Sequence, residues 1–334
     1  MLKITCLGAG SWGLAISHYL SKKEPNFWLW EGVEQNFKHL KESRQDPARL
    51  PGLILPSNIH IVSDLAEALL GCEVLLFILP SHTIEEVARK VAPFIKSKML
   101  LVILSKGLAP TLERISEVLK RTLPPVVREQ IVVLSGPSHA EEVAATLPTA
   151  IVASSENPMA AEAVQTLFSS STLRVYTNSD PLGVELAGAL KNVIAIACGV
   201  VDGLGFGDNT KGALFTRGLA EITRLGVKMG AQPQTFAGLA GMGDLITTGI
   251  SRHSRNRFVG ERIGKGEKLP EILAKMVMVA EGVNTTKAAV TLAQKYGVEM
   301  PITQKVYEML FENKPAILAL KELMERELKT EVWH

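Results

Sequence analysis

Three glycines near the start of the chain restrict its fold more than any other feature. Residues 7–13 read LGAGSWG, in which Gly8, Gly10 and Gly13 form a G-x-G-x-x-G pattern. A short apolar run, LKITCL (2–7), leads into it, and SWGLAISHYLSKK, with helical character, leads out. Strand, glycine turn and helix in that order allow a tight turn and let backbone approach a pyrophosphate closely. The phosphates then lie at a helix N-terminus, where free N–H groups and the helix dipole favour anions. The pattern predicts a dinucleotide site on Gly8, Gly10, Ser11, Trp12 and Gly13. The plain alternative is a glycine-rich turn with no ligand.

The rest of the first half supports the same fold. NFWLW (26–30), EVLLFIL (73–79), MLLVIL (99–104) and IVVLS (131–135) are short apolar runs separated by polar or amphipathic stretches. Continuous apolar strands alternating with helices predict a parallel sheet covered on both faces. TAIVAS (149–154) and LRVYT (173–177) are placed to extend it. Past Asp180 the strand signals stop, and helical patterns broken by Gly and Pro run to Glu331. Asp180 suits the cap of the next helix, and Pro181 is accepted in its first turn. A length of 334 residues suits two domains. The predicted fold class is α/β. A Rossmann-like N-terminal domain with a mostly parallel sheet spans 1–179, and an all-α substrate-binding and catalytic domain spans 180–334. The charged stretch KELMERELKTE is predicted to be an exposed helix.

Composition removes several classes of function. Hydrophobic residues at 46% and charged ones at 21% argue for a packed core. A net charge of +2 gives no basis for nucleic-acid binding. Cys6, Cys72 and Cys198 are far apart and form no CxxC, so neither a disulfide framework nor a metal site is indicated. Few, unpaired cysteines fit a reducing compartment. The N-terminus meets glycines too soon for a signal peptide. No stretch reads as the roughly 20 apolar residues of a membrane span. Together these predict a cytoplasmic protein with a small-molecule partner and no membrane insertion. The apolar helices of the second half are compatible with a homodimer.

Several residues stand out for chemistry. Glu31 lies 18 residues past Gly13, at the end of the second apolar run. There it either accepts a hydrogen bond from an adenosine ribose 2′-hydroxyl or is a solvated strand-end glutamate. PSHT (80–83), SKGL (105–108) and SGPSHAEE (135–142) each follow a strand run, and ligands of open parallel sheets bind at strand carboxyl ends. Lys106 is thus placed to reach a ligand anion or carbonyl, a surface lysine being the alternative. Gly136 and Pro137 form a turn that can offer backbone N–H groups. His139 is equally well a loop residue, and His82 reads as packing or capping. In GVELAGALKNVIAIACGV (183–200), Lys191 and Asn192 interrupt an apolar helix. The neighbours of Lys191 at i±3 and i±4 are Ala187, Gly188, Ile194 and Ala195, which give its ammonium no partner. Desolvation should lower its pKa, unless the side chain snorkels to the surface. Asp244 sits in the glycine-flanked GMGDL, either pairing with Lys191, accepting a substrate hydroxyl, or capping a turn. Ser254, Arg255 and Asn256 open a helix in SRHSRNR, which is either a phosphate site with an arginine clamp or a solvated basic helix start.

GAGSWG, SKGL, SGPSHAEEV, GALKNVIAIACGVVDGLGFGDNTK, TRGLAEITRLG, GLAGMGDLITT, SRNRFVGERIGKG, AEGVNTT and GVEMPIT together resemble the bacterial NAD(P)-dependent glycerol-3-phosphate dehydrogenases, in the same order over about residues 3–312. The resemblance implies interconversion of dihydroxyacetone phosphate and sn-glycerol 3-phosphate, a source of phospholipid backbone. It implies Lys191 as acid/base, with a lowered pKa suited to that task. It implies substrate contacts at Lys106, Gly136, Ser138, Asp244, Ser254, Arg255 and Asn256. Cofactor contacts are implied at Lys106, Ala140, Arg255, Val279 and Glu281. Asn192 then either orients substrate or caps a backbone group. The chain also departs from the family. After Trp30 come Glu31 and Gly32, and no Arg, Lys or His lies before Gln35. NAD or NADP is implied as cofactor, with NADH favoured on Glu31, unless Lys38 or Arg44 folds back toward a 2′-phosphate. His139 replaces an aromatic residue. Two rivals remain, a hydroxyacid or ketoacid reductase of the same two-domain plan, and a non-catalytic dinucleotide sensor.

Overall fold

The computed structural model describes residues 2–328, 330 and 331. Eight strands form one sheet: β1 (Ile4–Leu7), β2 (Phe27–Trp30), β3 (Ile59–Val62), β4 (Val74–Phe77), β5 (Leu100–Ile103), β6 (Ile131–Ser135), β7 (Thr149–Ser154) and β8 (Leu173–Asn178). Their order is β3-β2-β1-β4-β5-β6-β7-β8. All neighbours run parallel except β6 and β7. Strands β1, β4, β5 and β6 are buried along their whole length, as expected for a sheet covered on both faces. β3 has no counterpart in the sequence reading. It is only four residues long, and its exposed His60 stacks on Trp28 of β2 with ring centroids 4.5 Å apart. A run that short, interrupted by a polar residue, is recognised only through its partner strand.

The order reverses at β1, which lies between β2 and β4. The crevice above that point is the usual ligand site of such sheets. Gly8 follows β1 there with φ +106°, where a Cβ would collide with the carbonyl of Ile78 after β4. A Cβ at Gly13 would overlap the Gly8 carbonyl.

β8 ends at Asn178, and a 23-residue helix starts at Pro181. Asp180 caps it, accepting from the Gly183 N–H at 2.9 Å. Its other oxygen accepts from the Gln232 N–H and the Thr235 hydroxyl, which ties the cap to the next helices. This helix corrects the expectation that nothing here is long and apolar enough for a membrane. It is long and apolar enough to cross one, but its apolar stretch is wholly buried inside the protein. Helices wrap it, and the Arg255–Gly264 helix crosses it at a glycine seam. A Cβ at Gly199 would overlap the Arg257 carbonyl, and one at Gly260 the Ile196 carbonyl. The predicted terminal helix is shorter than expected. It spans Ala316–Met324, so only the first residues of the charged stretch belong to it. Beyond it Leu328 is fully exposed, and a segment with no apolar face to bury gains little from staying helical. Lys329 and residues 332–334 lie outside the described residues.

Glu221 lends the helical half a pH response. It is 2% exposed, and its carboxylate accepts from the Ile302 N–H at 2.7 Å and the Thr303 N–H at 3.2 Å, capping the Pro301–Phe311 helix. Burial raises its pKa to about 7 despite those bonds. A folded pKa above the unfolded one means stability present at low pH and lost as pH rises toward 7. Glu221→Gln should therefore remove a loss of about 1–3 kcal/mol between pH 4.5 and 8. Urea midpoints of both proteins at the two pH values test this. Parallel pH curves would exclude Glu221 as the titrating group.

Candidate functional site

The glycine turn is shaped to receive a dinucleotide. Gly10 caps the Ser11–Leu20 helix with no side chain, and the space beside its Cα is open. The buried indole N–H of Trp12 has no hydrogen-bond partner among the described residues. Free N–H groups, open space and an unsatisfied donor at one helix start fit an anionic ligand. The Ser11 hydroxyl, by contrast, is engaged. It donates to the Arg49 carbonyl at 2.7 Å and touches Met278 Sδ.

Glu31 is buried at 6% exposure rather than solvated. It accepts from the Val33 N–H at 2.9 Å and pairs with Arg49 Nη1 at 3.0 Å. The cation near Glu31 is thus Arg49, not Lys38 or Arg44. Lys38 pairs with Glu34, and Arg44 donates to the carbonyls of Leu55, Pro56 and Ile59.

Lys191 lies 4% exposed in the long helix and does not snorkel. Its own helix offers no partner, as expected, but the Asp244–Ile250 helix does. Nζ stands 3.0 Å from Asp244 Oδ1 and donates to Thr248 Oγ1 at 2.5 Å. Asp244 Oδ2 receives Lys106 Nζ at 2.8 Å. Lys106, just past β5, also donates to the Gly136 carbonyl at 2.7 Å and reaches Ser138 Oγ at 3.2 Å. Gly136 holds φ +133°, packed against Ile151. Two lysines therefore share one buried carboxylate at the carboxyl end of the sheet.

Their electrostatics follow from burial and mutual charge. Burial pulls Lys191 down to about 8; Asp244 opposes this, and the charge of Lys106 assists it. Burial alone would raise the Asp244 carboxyl, but Lys106 and Lys191 outweigh it and hold it below the ordinary aspartate range. His139 packs at the edge of this cluster. Burial and the charges of Lys191 and Lys106 lower its pKa, and its buried Nε2 lacks a partner.

The SRNR segment divides its roles. Ser254 caps its helix, accepting from the Arg257 N–H at 3.1 Å. Asn256 donates to Asn192 Oδ1 at 2.9 Å and accepts from the Gly282 N–H at 2.9 Å, so both ends of its amide hold protein. Arg255 is exposed, with no ion pair among the described residues, and its charge reaches Lys191. Glu281 latches the helical half to the sheet, accepting from the Ser81 N–H at 3.0 Å and the Ser81 hydroxyl at 2.6 Å. Val279 is 40% exposed, Ala140 is buried at the start of a short helix, and His82 is exposed. Thr248, Arg49 and Ser81 carry no individual role in the sequence, although Ser81 lies in the strand-end stretch PSHT and Thr248 stands one helical turn after Asp244. Among the described residues no cluster of His, Cys, Asp and Glu could hold a metal ion.

Fold and site define a dinucleotide-binding oxidoreductase with a buried lysine at its centre. The family model described as NAD-dependent glycerol-3-phosphate dehydrogenase N-terminus matches residues 3–161, and its C-terminus counterpart matches 180–321. A glycerol-3-phosphate dehydrogenase [NAD(P)+] from Bacillus velezensis is 50% identical, covering 98% of this chain and 95% of the relative. One from Geobacter sp. (strain M21) is 49% identical, with 98% of each covered. The crystal structure of glycerol-3-phosphate dehydrogenase from Coxiella burnetii superposes with a TM-score of 0.92 at 36% identity, over 97% of this chain and 99% of that one. The chain belongs to the NAD-dependent glycerol-3-phosphate dehydrogenase family, and is an NAD(P)-dependent oxidoreductase acting on a small molecule.

Proposed function

We propose that this chain interconverts dihydroxyacetone phosphate and sn-glycerol 3-phosphate, the backbone of glycerophospholipids, with Lys191 as acid/base. The observation that carries the assignment is the buried Lys191 ammonium, held by Asp244 and Thr248 beside Lys106 and the Gly136 turn. The bound nicotinamide supplies or accepts the hydride. Lys191 Nζ gives a proton to the forming alkoxide, and in the reverse direction takes it from the alcohol. Asp244 keeps enough of the ammonium charged for that task. Lys106 and Ser138, both on the Gly136 carbonyl, bound the substrate pocket. Arg255, which makes no ion pair among the described residues and feels the charges of Glu141 and Glu281, binds the phosphate, while Ser254 and Asn256 fix its helix. On the cofactor side Gly8, Gly10, Trp12 and Gly13 form the pyrophosphate turn, and Glu31 favours NADH. Ala140, Val279 and Glu281 are assigned to the cofactor by the family likeness, and Glu281 also ties its helix to Ser81 after β4.

The end of β8 at Asn178 and the cap at Asp180 support a division into 1–179 and 180–334. Exposed Met242, Ile246 and Ile250, four residues apart, support a homodimer, for which sedimentation is the check. The balance of cysteine and charge supports a cytoplasmic setting.

The decisive assay is NADH turnover with dihydroxyacetone phosphate against short 2- and 3-oxoacids. Turnover of the oxoacids alone would make the chain a hydroxyacid reductase, and no turnover at all with tight cofactor binding would make it a sensor. Arg255→Ala should raise KM for dihydroxyacetone phosphate roughly 10- to 100-fold, the worth of a lost charge-assisted bond. It should barely change reduction of unphosphorylated dihydroxyacetone. Equal losses on both substrates would make Arg255 structural.

A further inference from the structure

Arg49 stands between the glycine turn and the strand-end acid. It belongs to the turn-rich segment after the second helix, anchored by the buried Leu50 beside it. Nη1 donates to the Ala9 carbonyl at 3.0 Å and lies 3.0 Å from Glu31 Oε2. Nε lies 3.5 Å from Asp46 Oδ2. The Arg49 carbonyl is the acceptor for Ser11, so the segment is fastened across the helix start. Ala9 is the first variable residue of the glycine pattern, and Glu31 is the acid at the end of β2. In this kind of fold an acid at the latter position meets the adenosine ribose, and the glycine turn meets the pyrophosphate. The guanidinium thus bridges the glycine turn and the strand-end acid.

An acid at this position accepts from a ribose 2′-hydroxyl, whereas a 2′-phosphate calls for an arginine. The chain has both, ion-paired to each other. We propose that Glu31 and Arg49 form a single cofactor-selecting unit, in which Arg49 is the specificity-determining cation for a 2′-phosphate and Glu31 holds it in check. This rests on the reading of the glycine turn as a dinucleotide site. With NAD(H), the ribose hydroxyl takes the carboxylate, and Arg49 remains beside Glu31 and Asp46. With NADP(H), Arg49 leaves Glu31 and pairs with the phosphate. Glu31 thus disfavours NADP(H) twice, by repelling the phosphate and by occupying its partner. Arg49 keeps the penalty small enough for both cofactors to bind.

The test is a set of affinities for the full chain, independent of turnover. NADH and NADPH are titrated by cofactor fluorescence, and 2′,5′-ADP by competition. Arg49→Ala should weaken NADPH and 2′,5′-ADP roughly tenfold or more, and NADH far less. Glu31→Gln should tighten NADPH by about tenfold, and the same change made on Arg49→Ala should give a clearly smaller gain. Arg49→Met keeps the aliphatic stem and gives the same readout if the alanine variant folds poorly. Equal weakening of both cofactors by either Arg49 variant overturns the proposal, as does a Glu31→Gln gain that is undiminished when Arg49 is already replaced. Failure of the wild type to bind either dinucleotide would instead remove the reading of the site on which the proposal stands.

Discussion

Lys191→Ala is expected to lower kcat by roughly 10²–10⁴-fold, the usual span for a lost general acid or base, while cofactor affinity stays nearly constant. Lys191 projects from a fully buried stretch of helix and has no role in the glycine turn, so the loss should fall on the chemical step. Its lowered pKa, about 8, also sets the sign of the pH dependence. Ketone reduction needs the charged lysine and should decline as pH rises through about 8. Alcohol oxidation needs the neutral lysine and should rise over the same interval. Measuring kcat in both directions from pH 6 to 10 checks both limbs. If the variant keeps kcat within about tenfold of wild type, or if both directions share one limb, Lys191 is not the proton carrier.

Removing Asp244 should be the most destabilising single change in the site. Asp244 is 2% exposed and holds both Lys106 and Lys191. Breaking a buried ion pair by deleting one partner costs on the order of 3 kcal/mol or more, because the remaining charge is stranded. Lys191 can escape part of that cost by shedding its proton. Without Asp244 its folded pKa drops further below the unfolded value, so stability should rise with pH and the defect should be larger at pH 6 than at pH 9. Asp244→Ala/Lys191→Met should be more stable than Asp244→Ala alone. Asp244→Asn, which keeps shape and one acceptor, should move the reduction limb to lower pH. Urea unfolding at the two pH values measures the first three effects. A pH-independent loss that the second substitution fails to relieve would show that Asp244 acts as a helix residue rather than as the counter-charge.

The chain is legible where structure depends on neighbours in sequence. The run from Ile4 to Leu20, the five apolar strands and the cap at Asp180 follow from local patterns, and the structure contains them. β3 was hidden because four residues with an exposed histidine carry too little pattern. The long helix was recognised as a core helix with a misplaced lysine. Its full length, enough to span a bilayer, was obscured by Glu185, Lys191 and Asn192 within it. Ser254 and Asn256 open a polar helix start, and sequence does not distinguish one whose side chains face phosphate from one whose side chains face protein; the protein partners of both come only from the tertiary structure.

By itself the sequence determined a glycine turn between strand and helix, a mostly parallel sheet, and a lysine inside an apolar helix. Each is a statement about adjacent residues, decided by backbone freedom and hydrophobic period. Only the tertiary structure decided what that lysine meets. Lys191 bonds a threonine 57 positions away, and Lys106 bonds an aspartate 138 positions away. Those meetings depend on how closely the Asp244–Ile250 helix packs on the long helix, where Gly249 lies against Cys198 and Phe215. The same holds for Glu31, whose ion pair with Arg49 joins residues 18 positions apart in the chain. A buried charge is governed by its nearest partner in space, because in a low-dielectric interior that one distance outweighs everything further along the chain.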